Sequence, residues 1–182
     1  MKLKIYSILL AMSLLVALGC QRDDICPETT DTTPFLIIKF YDIENPDESV
    51  APQNLSINEI GNEEYVTIRN GSDQIIEYKR RTSDSIAIPL RTDTDLTELE
   101  FTVNDPRDEE EPDPENLPNT DIIRFTYGRQ EEYINRACAF KVNYVGLKLT
   151  PDSGDDGAWI QDIRIEEVNI EDQNQAHVSI FF

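Results

Sequence analysis

The chain has 182 residues, with 36 acidic and 16 basic side chains, and its formal net charge is −20 at pH 7. This length suits one domain with a tail, not two ordinary domains. The charge argues against binding to nucleic acid or anionic lipid headgroups, because such surfaces are bound through lysine and arginine. A hydrophobic content of 39% suffices for a β-rich core and excludes a wholly disordered chain.

The first residues have the pattern of a secretory signal. A short basic segment precedes an apolar run over residues 5–19, which is shorter than the roughly 20 residues that a membrane-spanning helix needs. The run ends in Gly19 directly before Cys20, which resembles the lipobox of bacterial lipoproteins, with Ala17 where leucine is more usual. We therefore predict a lipoprotein signal peptide over 1–19 and acylation of Cys20. An ordinary signal peptide that contains a cysteine is the alternative.

A tether is expected over residues 20–34, between the acylated cysteine and the folded domain. Gln21 follows Cys20, so the aspartate that retains lipoproteins in the inner membrane of enteric bacteria is absent. Residues 22–24, an arginine and two aspartates, resemble the export signal of surface lipoproteins in bacteroidete-type bacteria. A solvated polar tether is the alternative interpretation. These features predict a lipid anchor in the outer membrane, with the domain at the periplasmic face or the cell surface.

Two further cysteines, Cys26 and Cys138, follow the predicted anchor. An exported chain folds in an oxidising compartment, so a pair of cysteines predicts a disulfide. The bridge would close a loop of more than a hundred residues. In the chain-entropy model such a loop stabilises the fold by about 4–5 kcal/mol. Two buried free thiols are the alternative.

Alternation of apolar and polar residues, the pattern of β-strands, dominates the chain from residue 35 onward. Nine short segments show it: 36–40, 65–69, 75–78, 86–90, 99–103, 123–127, 138–144, 159–165 and 178–182. Asn70 and Gly71 predict a type I′ hairpin, and Pro89 predicts a strand at a sheet edge. The strand that ends the chain is expected inside a sheet. We predict an all-β domain over 35–182, an antiparallel β-sandwich of immunoglobulin-like type with about nine strands; a barrel is the alternative.

Residues 104–121 interrupt this pattern with four prolines and eight acidic residues. Charge repulsion and fixed φ angles oppose packing, so we expect an exposed acidic, proline-rich insertion between two strands. Such a run supplies charge without a preformed cage for Ca²⁺. The turn over 151–157 resembles an EF-hand loop only superficially, because Gly154 has no ligand and Ile163 stands where a glutamate is needed.

The sequence offers no constellation that is typical of catalysis or metal binding. The one histidine, His177, is expected on the outward face of the last strand, and no Gly-x-Ser-x-Gly elbow occurs. A zinc site needs more His and Cys ligands than remain, and no glycine-rich loop is present to hold a phosphate. We therefore expect no enzymatic activity, no cofactor and no metal site.

Several segments of the mature chain are similar to one family of bacterial proteins. They are Cys20 with residues 24–27 (Asp-Ile-Cys-Pro), residues 36–41 (Leu-Ile-Ile-Lys-Phe-Tyr), residues 133–138 (Tyr-Ile-Asn-Arg-Ala-Cys) and residues 177–182 (His-Val-Ser-Ile-Phe-Phe). Together they resemble an uncharacterised family of bacteroidete-type Gram-negative lipoproteins that carries a domain-of-unknown-function label. The resemblance implies an exported all-β lipoprotein, and it implies roles only for Cys20, Cys26 and Cys138.

These expectations favour a non-enzymatic cell-envelope lipoprotein, a structural or interaction module that docks an outer-membrane protein partner. The alternative is an accessory surface lipoprotein that binds glycans or Ca²⁺. Its sugar-stacking side chains would be Trp159, Tyr78, Tyr133 and Tyr144. At strand spacing these residues are more typical of a core or of cross-strand pairs. A hydrolase is least favoured, because carboxylate pairs carry no information in a chain this acidic.

Overall fold

The computed structural model describes residues 25–27, 30, 32–69, 72–106, 114, 116–154 and 157–182. This part of the chain contains ten strands and no helix, which confirms the prediction of an all-β chain. The strands are β1 (Leu36–Tyr41), β2 (Ser56–Glu59), β3 (Thr67–Arg69), β4 (Ile75–Glu77), β5 (Ser85–Ile88), β6 (Leu96–Val103), β7 (Asn119–Asn135), β8 (Ala139–Ser153), β9 (Asp162–Ile165) and β10 (Val178–Phe181).

The chain divides into two compact units. The tip unit comprises Met1–Thr30 and Tyr133–Phe140, of which the structure describes 25–27, 30 and 133–140. The main unit comprises Asp31–Glu132 and Lys141–Phe182. The end of β7 and the beginning of β8 therefore belong to the tip unit. The predicted division at residue 34 does not anticipate that a segment distant in sequence joins the N-terminal residues.

The main unit contains two four-stranded sheets and a small hairpin. The first sheet has the order β5-β1-β10-β9, the second has the order β2-β6-β7-β8, and β3 pairs with β4. β1 and β10 run parallel, whereas the pairs β1–β5, β9–β10, β2–β6 and β6–β7 are antiparallel. Parallel neighbours need a long connection, and β1 and β10 are the first and last strands in the described part of the chain. All four residues of β10 are buried, as expected for a strand inside a sheet.

The core of the main unit contains apolar side chains from both four-stranded sheets. Phe40 of β1, Phe101 of β6 and Phe125 of β7 are fully buried, and the rings of Phe101 and Phe125 lie 6.4 Å apart. Trp159 packs against Phe40 and donates a hydrogen bond from Nε1 to the carbonyl of Phe101 at 2.9 Å. The indole therefore fills apolar space and satisfies its one donor.

Two local features differ from the sequence prediction. The pattern missed β2, because Ile57 is its only apolar residue and the buried Ser56 reads as polar. Arg69 pairs with Ile75, so residues 70–74 separate the paired ends of β3 and β4, and the connection is longer than a two-residue turn. Asn70 and Gly71 themselves lie outside the described residues.

The boundaries of the acidic insertion also differ. β7 begins at Asn119, so the last residues of the predicted loop 104–121 belong to a strand. Asp121 is buried, and its Oδ2 accepts a hydrogen bond from the backbone N–H of Ile160 at 2.7 Å. Residues 107–113 and 115 lie outside the described residues. A charge run predicts exposure, but it does not reveal which carboxylate has a buried partner.

Candidate functional site

The tip unit is organised around a disulfide. Cys26 and Cys138 are joined with a Cα–Cα distance of 4.8 Å, consistent with the pairing expected from the sequence. The turn before Cys138 is fixed by Asn135, whose Oδ1 accepts hydrogen bonds from the backbone N–H groups of Ala137 and Cys138 at 2.9 and 2.8 Å. Local capping by an asparagine side chain is a common way to hold such a turn. The predicted acylation site, Cys20, lies outside the described residues.

The same unit exposes apolar side chains. Tyr133 and Phe140 are each 59% exposed, and their rings meet edge to face with centroids 5.2 Å apart. Ile25, next to Cys26, is 85% exposed. Tyr133 is thus one of the four aromatic residues considered for glycan contact, and it lies at the surface. The other three, Trp159, Tyr78 and Tyr144, are half-buried or buried in the core of the main unit.

The β5 edge of the first sheet is closed by a buried tyrosine. The Tyr78 hydroxyl accepts a hydrogen bond from the backbone N–H of Ala87 at 2.9 Å and donates one to the carbonyl of the same residue at 2.7 Å. Ala87 stands opposite Ile37, whose own backbone groups bond to His177 of the neighbouring segment. The backbone groups of Ala87 therefore point away from β1. Burial raises the pKa of Tyr78, which keeps the hydroxyl protonated.

The Ser83 hydroxyl binds the backbone of Ser85 in the same way, two residues before Ala87 on β5. Ser83 Oγ accepts a hydrogen bond from the backbone N–H of Ser85 at 3.4 Å and donates one to its carbonyl at 2.7 Å. The backbone groups of Ser85 and Ala87 point outward, whereas those of the residue between them point toward β1. The hydroxyls of Ser83 and Tyr78 therefore bind the outward backbone groups of both residues. A groove of about 660 Å³ runs beside this edge, lined by apolar residues such as Ile76 and Ile86 together with Arg80 and Arg81.

At the β9 edge of the same sheet, an exposed carboxylate accepts a backbone hydrogen bond. Asp162 Oδ1 accepts a hydrogen bond from the backbone N–H of Ile163 at 3.0 Å, and its Oδ2 lies 3.4 Å from Nε of Arg164. Both charged side chains are about half exposed. An apolar groove of about 270 Å³ follows this edge, and the residues that line it include Leu149, Pro151, Ile160, Ile163 and Ile165.

A polar cleft of about 460 Å³ lies elsewhere in the main unit. Its walls include Glu132, Lys141, Asn143, Asp172 and Asn174. Glu132 Oε2 is 3.3 Å from Nζ of Lys141 and accepts a hydrogen bond from Nδ2 of Asn143 at 3.1 Å. The Oδ1 of Asn143 is buried without a hydrogen-bond partner among the described residues. An unsatisfied buried carbonyl oxygen is uncommon and marks a place where a polar partner is missing.

His177 is buried, and the prediction that it faces outward from the last strand is wrong. It is only 2% exposed, and it lies just before β10. Its Nδ1 accepts a hydrogen bond from the backbone N–H of Ile37 at 2.9 Å, and its own N–H donates to the carbonyl of Ile37 at 2.9 Å. Burial lowers the pKa of His177, and a hydrogen bond to the backbone of Asp172 opposes that shift. His177 therefore joins β1 to the start of β10.

The described residues contain no group of three or more His, Cys, Asp or Glu side chains that could hold a metal ion. They also contain no helix of the length and hydropathy that a bilayer span requires. Gly154 belongs to the described part of the predicted acidic turn, whereas residues 155 and 156 do not. Asp152 instead forms an ion pair with Arg124 at 3.1 Å.

A family model for a family of unknown function, DUF6452, matches residues 63–182. The chain belongs to this family. The match includes Cys138, His177 and both edges of the first sheet, whereas Cys26 and β1 precede it. No curated protein and no solved structure matches the chain. Membership of DUF6452 therefore places the chain among related sequences without assigning an activity to any residue.

Proposed function

We propose that this DUF6452 protein is a non-enzymatic cell-envelope lipoprotein, of the bacteroidete type that the sequence resembles. It is anchored in the outer membrane through acylated Cys20, and its β-domain docks an outer-membrane protein partner. The observation that carries the proposal is the Cys26–Cys138 disulfide. It fastens the chain six residues after the acylated cysteine to the turn between β7 and β8. Mass spectrometry of the purified protein should find Cys20 as the acylated first residue, and an unmodified thiol would contradict the anchor.

The proposal includes a finer description of the fold. We propose that the two four-stranded sheets pack as a β-sandwich of immunoglobulin-like type, with the β3–β4 hairpin beside them. The single buried cluster that draws on both sheets supports this arrangement, as does the Trp159 hydrogen bond to Phe101 of the opposite sheet. Sandwiches commonly present their edges and loops to partners, so this architecture suits a docking role.

The docking edge in this proposal is β9. A partner strand can pair with an edge only where backbone groups can be released, and an exposed aspartate is displaced more readily than a buried tyrosine. Ile163 and Ile165 offer apolar contacts along the adjacent groove. The expected partner segment is an extended strand with apolar residues at alternate positions, which would enter that groove.

The test compares two isoleucine substitutions in the intact lipoprotein. Ile165→Lys places a charge in the groove beside β9, and Ile75→Lys makes the same change at an exposed position on β4. After cross-linking in membranes, the wild type and Ile75→Lys should capture one outer-membrane protein in stoichiometric amount. Ile165→Lys should lose it, because burial of an unpaired charge is costly. Retention of the partner by Ile165→Lys would contradict docking at β9.

The second candidate function is glycan binding at the polar cleft, and it is favoured by the unsatisfied Oδ1 of Asn143. Carboxylates, amides and a lysine line the cleft, and these groups bind sugar hydroxyls. Retention of the protein on polysaccharide columns tests this function. Glu132→Gln should weaken retention, whereas Glu131→Gln, at an exposed neighbour outside the cleft, should not. Thermal stabilisation by added Ca²⁺ would instead indicate a cation site.

A further inference from the structure

We propose that the tip unit contacts the lipid bilayer through Tyr133 and Phe140, so that these rings lie in the interfacial layer of the membrane. The inference rests on the proposed acylation of Cys20. It adds a second, non-covalent contact, made by side chains that neither the disulfide nor the core of the main unit uses. The bilayer is the occupant because the tip unit combines exposed rings, a low net charge and a short link to the anchor.

The exposed rings are suited to a membrane interface. Tyr133 and Phe140 are each 59% exposed, although they already contact each other edge to face. Ile25 adds a third apolar side chain, 85% exposed, to the same unit. An exposed apolar cluster of this kind marks an interaction site on a soluble protein surface. Tyrosine in particular is enriched where one end of the side chain is apolar and the other is hydrated.

The tip unit carries little of the net negative charge of the chain. Residues 133–140 contain Arg136 and no Asp or Glu, and residues 20–30 contain Arg22 against Asp23, Asp24 and Glu28. The part of the tip unit that follows the predicted signal peptide therefore has two basic and three acidic side chains, a formal charge of −1, whereas the whole chain has −20. The tip unit is thus repelled by phosphate-bearing headgroups much less than the rest of the chain.

The length of the link to the anchor limits the distance between the tip and the membrane. Cys26 lies six positions after Cys20 in the sequence. A fully extended chain spans at most about 3.5 Å per residue, so Cys26 stays within about 20 Å of the acylated residue. The disulfide applies the same limit to Cys138, which lies between Tyr133 and Phe140 in the sequence. The rings are thereby held near the bilayer at a high effective concentration.

The test places tryptophan at each ring position in the acylated full-length protein. Tyr133→Trp, Phe140→Trp and the control Ile75→Trp, at a 65% exposed position of the main unit, are reconstituted separately. The vesicles contain phosphatidylethanolamine and a minority of phosphatidylglycerol, with acyl chains brominated near the headgroups. The wild type supplies the baseline from Trp159. Quenching above that baseline should be at least about threefold greater at 133 and 140 than at 75, because bromine quenches only indoles at the interface.

The outcomes separate this inference from the proposed function. Quenching at 133 and 140 that does not exceed quenching at 75, in protein shown to be acylated and vesicle-bound, overturns the membrane contact and leaves the anchor intact. An unmodified Cys20 in mass spectrometry overturns the anchor and the contact together. Thermal unfolding of each variant at the wild-type temperature establishes that the substitutions left the fold unchanged. Having two tryptophan positions guards against a local effect at either one.

Discussion

At the two edges of the first sheet, outward backbone groups are hydrogen-bonded by different kinds of side chain. At β5 the outward backbone groups of Ala87 bond to the buried hydroxyl of Tyr78, which the core holds in place. At β9 the N–H of Ile163 bonds to the carboxylate of Asp162, which is half exposed and also pairs with Arg164. Unpaired edge strands invite association with other strands. This difference is the reason for proposing that a partner strand docks at β9 and not at β5.

His177 joins β1 to the start of β10, which lie between these edges. Its replacement should have the largest effect on the free energy of unfolding. His177→Ala leaves the N–H of Ile37 buried without its acceptor and creates a cavity. We expect the free energy of unfolding to fall by about 2–4 kcal/mol in urea denaturation. His177→Asn retains a side-chain acceptor at the same distance from the backbone and should lose about half as much. Equal losses in the two variants would contradict a role for the hydrogen bond.

The β5 edge should open when the Tyr78 hydroxyl is removed. Tyr78→Phe leaves both backbone groups of Ala87 without their partner, so we expect a loss of about 1–3 kcal/mol and concentration-dependent self-association in analytical ultracentrifugation. Tyr133→Phe removes a hydroxyl from an exposed ring and serves as the control, with an expected change within about 0.5 kcal/mol. A monomeric, fully stable Tyr78→Phe protein would show that the edge is closed by something else.

Acidification should lower the stability of the fold through His177, which joins β1 to the start of β10 between the two edges. Burial lowers the pKa of His177 in the folded protein, so between about pH 6.5 and that lowered value the unfolded chain binds a proton that the folded chain does not. The stability is fully present above about pH 6.5 and falls as the pH falls, by at most about 1.4 kcal/mol per unit for one proton. The negative charges of Asp172 and Glu167 favour the protonated imidazole and raise the pKa of His177, which limits the loss. The same slope in His177→Asn would assign it to carboxylates instead.

The smallest effect is expected at β9. Asp162→Ala removes an exposed cap, so the free energy of unfolding should change by less than about 0.5 kcal/mol. Hydrogen exchange at the amide of Ile163 should nevertheless become faster, because water replaces the carboxylate. A loss as large as that of Tyr78→Phe would mean that the two edges are equally closed. The comparison, and the proposed docking edge with it, would then fail.

The sequence predicted those features that depend on local pattern. The alternation in β1 and β6 locates these strands, and Pro89 correctly marks β5 as an edge. The sequence pattern could not locate β2, whose Ser56 is buried because Asp105 accepts its hydrogen bond. His177 and Asp121 were misplaced for the same reason. A polar residue within an alternating strand reads as exposed until a partner far away in the sequence is known.

The features of the candidate site also divide into those that the sequence predicted and those that it could not. The pairing of Cys26 with Cys138 was predicted from the small number of cysteines and from the predicted export of the chain, which require no coordinates. The closure of β5 by Tyr78 could not be foreseen, because it depends on which backbone groups point outward. The exposure of Tyr133 also could not be predicted, because this residue has the same alternate spacing along β7 as the buried aromatic residues of that strand.

The position of β10 has a consequence for folding. This strand lies between β1 and β9, and Ile38 of β1 pairs in parallel with Val178 of β10, about 140 positions later in the chain. Until residues 178–181 pair, β1 and β9 have no common neighbour in the first sheet. This sheet therefore forms through a contact between distant parts of the chain, which predicts slow folding.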